Sequence, residues 1–254
     1  LSDSEYTSRQ SVFLGQLPED SLVLMPTNPV AYRSNDTAFP FRANSYMLYL
    51  CGWSDPEAVL MAHREGVKWV TTLFVQPRDT KAEIWEGRRI GVEGTVSGWP
   101  VDQASSLEDI ADSVTPHLDA CTSVYCISGL NPKLDELISR ADGVELADPT
   151  PILDGMRVLK SKEEIRLMQE SVDIASASHI AAMRASFSGI GEWQIQSTIE
   201  AYFTTCKSRW SYPSIVGGGD NATILHYNSN DNEISDGELV LVDAGCEVSG
   251  YASD

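Results

Sequence analysis

The sequence pattern of the chain changes at one junction, near residues 150–160. Before the junction, short apolar runs typical of strands alternate with helical or loop segments. After it, Ser161 and Glu164 have the spacing of a capping box, in which each side chain satisfies a free N–H group at the start of a helix. Apolar residues then recur at helical spacing: Ile165, Met168, Val172, Ala175 and Ala182. We therefore predict two domains, 1–155 and 156–254, with a long helix over 161–186 at the start of the second.

The first part is predicted to be an α/β domain. Its strand-like runs cover 21–25, 67–74 and 124–127, and helical patterns begin near Ser106 and Asn131. Strands that alternate with helices are typical of a mixed sheet with helices packed on it. The second part is predicted to be of the α+β class, because helical patterns are followed by β and loop segments.

The net charge of the chain limits the kinds of molecule that we expect it to bind. The chain has 18 Lys and Arg against 37 Asp and Glu, a formal net charge of −19. Nucleic acids and anionic membranes are bound by clustered Lys and Arg, so we expect neither as a partner. No apolar run is long enough for a transmembrane helix. The five cysteines include no C-x-x-C pair, which favours a reducing, cytoplasmic location.

The strongest candidate site lies at the end of the chain. Asp243 follows the apolar run 239–242, which is predicted to be a buried strand, and an ionised carboxylate there needs a partner or a metal ion. If Val248 and Ser249 form a two-residue turn, antiparallel pairing sets Asp243 opposite Asp254, with Cβ atoms about 4.5–5.5 Å apart. Two facing carboxylates repel unless a cation lies between them, which predicts a hard-cation site. The alternative is that Asp243 merely ends a strand.

Three further residues are candidates for function. His226 lies in an apolar segment that is predicted to be a strand, where it is either a hydrogen-bonded core residue or a proton carrier or ligand near the carboxylates. Asp36 and Trp85 lie among aromatic and arginine residues, an unusual composition for plain surface. They are either interface residues or partly buried anchors of the first domain.

Five segments together resemble aminopeptidase P, the Xaa-Pro aminopeptidases of the pita-bread family. In chain order they are YRSNDTAFPFRANSYMLYLCGWSDPEAVL, AEIWEGRR, MRVLKSKEEI, YPSIVGGGDNATILHY and LVLVDAGCEVSGYASD. Because these segments cover most of the chain in the family's order, the chain is identified as a member. The resemblance implies a creatinase-like N-terminal α/β domain followed by the first part of a pita-bread catalytic domain.

The resemblance also implies an activity and a set of roles. Members of the family remove the N-terminal residue from peptides with proline in the second position, using two divalent ions, usually manganese, and an ion-bound hydroxide. Asp243 resembles the first metal-ligating aspartate, Asp254 the aspartate that bridges both ions, and His226 the histidine that contacts substrate. Asp36 and Trp85 match residues that reach a neighbouring subunit's active site in oligomeric relatives, so we expect a homo-oligomer, either a dimer or a tetramer.

Two other functions stay open from the sequence. The family's later metal ligands, one His and two Glu, have no counterpart before Asp254, so we expect the 254 residues alone to be inactive. A prolidase acting on dipeptides is one alternative, although FPFRANSYMLYL and AEIWEGRR favour the aminopeptidase. A metal-free pita-bread protein that binds peptides or proteins is the other, and the presence of Asp243 and Asp254 argues against it.

Overall fold

The computed structural model describes residues 1–254. Its contacts divide the chain into two units, Leu1–Leu159 and Lys160–Asp254. This division falls a few residues after the predicted boundary at 155/156, because Met156 also packs against the core of the first unit. None of the helices has the length and apolarity that a membrane-spanning segment requires.

The first unit consists of strands and helices that alternate along the chain. Its strands are β1 (Ser21–Pro26), β2 (Tyr32–Ser34), β3 (Thr37–Ala38), β4 (Val59–Glu65), β5 (Lys68–Val75), β6 (Gln103–Ser106), β7 (Ser123–Cys126) and β8 (Glu145–Ala147). Its helices are α1 (Asp3–Leu14), α2 (Ser45–Cys51), α3 (Glu83–Glu86), α4 (Gly91–Gly98), α5 (Ile110–Leu118), α6 (Pro132–Ser139) and α7 (Thr150–Arg157). The predicted α/β class is confirmed.

Helices cover both faces of a six-stranded mixed sheet in the order β6–β5–β4–β1–β7–β8. Successive side chains of β1 point to opposite faces, as the pleat requires. Val23 and Met25 join one apolar cluster, which contains residues of α1, α2 and α7. Leu22 and Leu24 join the other, which contains residues of α5 and α6. The first unit is therefore a three-layer α/β/α structure with two cores.

The second unit packs two helices against short antiparallel strands. Its helices are α8 (Lys162–Ala185) and α9 (Glu192–Thr205), and its strands are β9 (Arg209–Trp210), β10 (Ile215–Gly218), β11 (Val240–Asp243), β12 (Cys246–Val248) and β13 (Tyr251–Ala252). Strand β10 pairs with β11, and β12 lies between β9 and β13. Both halves of the capping box at Ser161 and Glu164 are present.

The buried face of α8 differs in part from the predicted stripe. Ala175 and Ala182 are buried as predicted, but Ile165 is 55% exposed and Val172 is 42% exposed. The buried face is completed by small or polar residues such as Ser171, whose carbonyl oxygen accepts a hydrogen bond from the Cys246 thiol at 3.2 Å. Small side chains let α8 approach the strands closely. Because a face completed by small and polar residues has no full apolar repeat, hydrophobic periodicity did not predict it.

Candidate active site

Strand β11 places Asp243 at the edge of the second unit. The strand pairs antiparallel with β10, and Asp243 lies opposite Ile215. The run 239–242 was predicted to be buried throughout, and this is wrong: Leu239 is 83% exposed and Val240 is 39% exposed. Asp243 itself is half-buried. The carboxylate therefore ends a strand that is only partly covered.

The predicted register of the terminal hairpin is also wrong. Strands β12 and β13 pair Val248 with Tyr251, so the two turn residues are Ser249 and Gly250. Both have positive φ angles, 50° and 84°. Two-residue hairpin turns of this kind need φ above zero at both central positions, a conformation that a β-branched residue such as Val248 strongly resists. The turn therefore moves one residue along the chain, and Asp254 lies beyond the end of β13.

The two carboxylates nevertheless converge. The Tyr212 hydroxyl lies 2.5 Å from Asp243 Oδ1 and 3.1 Å from Asp254 Oδ1. The prediction that they lie on adjacent paired strands is wrong, because Asp243 ends β11, which pairs with β10, and Asp254 lies beyond β13 in a different sheet. Their convergence is made by Tyr212 instead of by strand pairing.

Tyr212 is a residue of this site that the sequence analysis missed. Burial raises the pKa of its phenol, and hydrogen bonds and charge interactions with Asp243 and Asp254 raise that pKa further. A neutral phenol has one proton, so it donates to only one of the two carboxylates at a time. The only sequence signal is the placement of Tyr212 just before β10, and the pairing of β10 with β11 is not visible from local pattern.

His226 lines the same cavity as the two aspartates. The cavity has a volume of about 380 Å³ and is lined by Tyr212, Pro213, Ile215, His226, Asn228, Asp243 and Asp254. His226 was predicted to lie in an apolar strand, and this is wrong: it is exposed and occupies a turn. The neighbouring Leu225 is 85% exposed, so the segment is not a core strand.

The residues predicted from the first unit are surface residues. Asp36 lies in the turn between β2 and β3 and is exposed, and Trp85 on the short helix α3 is 89% exposed. The interpretation of this pair as partly buried anchors of the domain is therefore wrong. Their exposure is compatible with a role at an interface.

The chemistry of the cavity fits part of a hard-cation site. Carboxylate oxygens are preferred ligands of divalent ions such as Mn²⁺ and Mg²⁺, and two of them lie on one hydroxyl with a histidine in the same cavity. No group of three or more His, Cys, Asp or Glu side chains in the chain is arranged to hold a metal ion. Asp243 and Asp254 would supply one side of a site, and further ligands are needed to complete it.

Comparison with known proteins places the chain in a family. Residues 6–125 match the model of the aminopeptidase P N-terminal domain, and residues 166–254 match that of metallopeptidase family M24. The chain is 37% identical to an Xaa-Pro aminopeptidase of Haemophilus influenzae and 33% identical to one of Escherichia coli. Both matches include the whole chain, which spans only 60% and 61% of these relatives.

Solved structures agree with this assignment. Proline aminopeptidase P II from Yersinia pestis superimposes with a TM-score of 0.94 at 35% identity, covering all of this chain and 62% of that one. E. coli aminopeptidase P with the inhibitor Pro-Leu superimposes with a TM-score of 0.95 at 33% identity, covering all of this chain and 61% of that one. The chain therefore belongs to metallopeptidase family M24 and carries an aminopeptidase P N-terminal domain ahead of its M24 segment.

Proposed function

We propose that the protein is a metal-dependent aminopeptidase that removes the N-terminal residue from peptides with proline in the second position. The observation that carries the proposal is the convergence of Asp243 and Asp254 on the Tyr212 hydroxyl, in a cavity that also contains His226. The names of the relatives, Xaa-Pro aminopeptidase and aminopeptidase P, support the substrate class. The M24 match supports a metallopeptidase.

Four residues of the cavity have a proposed role. Asp243 and Asp254 would hold divalent ions, which would supply an activated water and polarise the scissile carbonyl. Their negative charges offset the positive charge of the ions in a partly desolvated cavity. The Tyr212 hydroxyl lies between the two carboxylates and donates its proton to one of them at a time. His226, exposed in the same cavity, contacts the substrate and stabilises charge that develops during the reaction.

Metal identity, assembly and location are parts of the same proposal. We take the ions to be manganese and the enzyme to be a homo-oligomer in which Asp36 and Trp85 meet a neighbouring subunit. The exposure of Trp85 supports the interface, because large aromatic side chains are enriched in subunit contacts. A cytoplasmic location stays a prediction.

A peptide assay on the complete natural chain tests the substrate class. The substrates are Ala-Pro-Ala, Ala-Pro and Ala-Ala-Ala, with Mn²⁺ present. An aminopeptidase of this type releases alanine from Ala-Pro-Ala and leaves Ala-Ala-Ala intact. Cleavage of Ala-Pro alone would support a prolidase, and cleavage of none of the three would support a metal-free binding protein. The 254-residue chain, assayed in parallel, is expected to be inactive.

Two variants of the complete chain test the proposed roles. Asp254→Ala should abolish activity together with two-metal occupancy, since it removes one of the two carboxylates that would hold the ions. His226→Ala should keep its metal but lose roughly 10²–10³ in kcat, the usual loss when one donor to a developing charge is removed. Metal content is measured by mass spectrometry. Stoichiometric loss of metal from His226→Ala would make His226 a ligand, and normal turnover in Asp254→Ala would contradict the two-carboxylate site.

A further inference from the structure

A carboxylate outside the cavity is buried beside the loop that carries His226. Glu192 is the first residue of α9, and its exposed fraction is 0%. A buried ionised carboxylate is stable only when its oxygens accept enough hydrogen bonds to replace the lost water. The donors of those hydrogen bonds therefore identify the residues that Glu192 anchors.

The Glu192 carboxylate accepts four hydrogen bonds, two at each oxygen. Oε1 accepts from the backbone amide of Gly218 at 2.7 Å and from Asn221 Nδ2 at 3.1 Å. Oε2 accepts from the Tyr227 hydroxyl at 2.8 Å and from the backbone amide of Asn232 at 3.0 Å. All four donors thus belong to residues 218–232.

The four donors lie on both sides of His226 in the chain. Gly218 ends β10 and Asn221 lies in the short 3₁₀ helix that follows it, whereas Tyr227 is the residue next to His226. Asn232 lies near the end of the segment. One carboxylate therefore ties together the beginning, the middle and the end of the loop 219–232.

The electrostatics of Glu192 are consistent with this bonding. Burial acts to raise the pKa of Glu192, but the amides of Gly218 and Asn232, together with Asn221 and Tyr227, outweigh it and lower that pKa. Burial and the hydrogen bonds to Glu192 and Asp231 raise the pKa of Tyr227 to about 12. At neutral pH the pair is therefore an ionised carboxylate and a neutral phenol, which is the combination that forms a strong charge-assisted hydrogen bond.

The His226 imidazole has no comparable support of its own. It lines the cavity from an exposed turn and makes no side-chain hydrogen bond to the rest of the chain. Its neighbour Tyr227, in contrast, is buried and bonded to Glu192. The backbone position of His226 is therefore set by the anchoring of Tyr227.

We propose that Glu192 is a positioning residue that holds His226 in the cavity that also contains Asp243 and Asp254, acting through Tyr227 and the loop 219–232. The inference rests on the proposed role of His226 in contacting substrate. Glu192 itself lines no part of the cavity and does not touch the reacting atoms. Glu192 acts by fixing the backbone of the loop and thereby the position of the His226 side chain in the cavity.

Hydrogen exchange tests the anchoring without any assay of activity. In Glu192→Gln the amide group replaces one acceptor oxygen with a donor, so two of the four hydrogen bonds lose their acceptor. We expect amides in 219–232 to exchange about tenfold faster or more, the change that accompanies loss of a hydrogen bond to a charged group. The matched control is Glu170→Gln on α8, an exposed carboxylate that accepts only from Arg166, at 3.4 Å. It should leave the loop unchanged.

Tyr227→Phe is a milder substitution that tests the same contact if Glu192→Gln does not fold. Tyr227→Phe removes one hydroxyl and keeps the buried ring, and it should speed exchange at 226–232 while the amides of α8 and α9 stay protected. Combined with Glu192→Gln, its effect should be less than additive, because both variants remove the same contact. Unchanged exchange of the loop in both variants would overturn the proposal.

Kinetics of the complete chain separate positioning from a purely structural role. Displacement of a reacting group by about 1 Å costs on the order of 10²-fold in rate. Glu192→Gln should therefore lower kcat on Ala-Pro-Ala about 100-fold, with KM and metal content nearly unchanged. A loosened loop with normal kcat would overturn the positioning role. If the parent protein cleaves no Xaa-Pro peptide, the proposed function fails, whereas the exchange experiment still decides whether Glu192 holds the loop.

Discussion

The two units differ in how completely their strands are covered. In the first unit both faces of β1 are buried, and Leu22, Val23, Leu24 and Met25 are at most 1% exposed. In the second unit the strand that carries the candidate site begins beside Leu239, which is 83% exposed. The proposed binding of ions and substrate by Asp243 and Asp254 would need access to solvent, and a strand covered on both faces does not give it. The first unit has the character of a scaffold, and the second places its polar groups at a partly covered edge.

The largest expected effect is a contrast in stability between two leucines. Leu24→Ala deletes a fully buried side chain and should destabilise the first unit by about 2–5 kcal/mol, because it leaves a cavity between β1 and the helices. Leu239→Ala, the same substitution at an exposed position, should change the free energy of unfolding by no more than about 0.5 kcal/mol. Urea unfolding followed by circular dichroism measures both. Equal losses of unfolding free energy in the two variants would contradict the difference in burial between the two units.

A smaller effect is expected at the hydroxyl that joins the two carboxylates. Tyr212→Phe removes the only donor shared by Asp243 and Asp254 and should lower the stability of the second unit by about 1.5–3 kcal/mol, the range for hydrogen bonds to charged groups. Added Mn²⁺ should recover part of the loss if the two carboxylates bind it. Thermal unfolding with and without Mn²⁺ measures this effect, and identical melting of Tyr212→Phe and the parent would contradict it.

The sequence predicts the first unit better than the site. The strand-like run at 21–25 and the helical pattern that begins near Asn131 are local patterns, and the structure has both as β1 and α6. The register of the hairpin was wrong because the prediction allowed Val248 in a turn that requires positive φ. Tyr212 was missed because its contact with Asp243 depends on the pairing of β10 with β11, which are separated by more than twenty residues. Site geometry depends on such long-range contacts.

Acid should weaken the second unit through Glu192. A carboxyl whose pKa is lowered by folding stabilises the native state fully above its ordinary value of 4.5, and that contribution is lost as the pH falls through the lowered value. We therefore expect the stability difference between the parent and Glu192→Gln to be constant near neutral pH and to shrink below about pH 4.5. Urea midpoints between pH 6 and pH 3 check this. A stability difference between the parent and Glu192→Gln that grows as the pH falls would contradict the lowered pKa of Glu192.

The smallest effect on folding is expected at Trp85. Because its side chain is 89% exposed, Trp85→Ala should change the free energy of unfolding by less than about 0.5 kcal/mol. It should nevertheless weaken self-association of the complete chain, measured by sedimentation velocity. Val67→Ala, at a position 90% exposed in the same unit, is the matched control and should leave association unchanged. A parent protein that is monomeric and fully active would refute the interface.

The position of the Ser249–Gly250 turn has a consequence for the order of folding. Hairpins with two-residue loops form within about 1–10 μs because their strands are neighbours in sequence. The pairing of β10 with β11 must first close the segment that contains His226, which is slower for entropic reasons. We therefore expect the strand before Asp254 to form early and the contact of Tyr212 with Asp243 to form late. Gly250→Ala, at a φ of 84°, should then slow refolding of the second unit as well as destabilise it, whereas Tyr212→Phe should mainly speed unfolding.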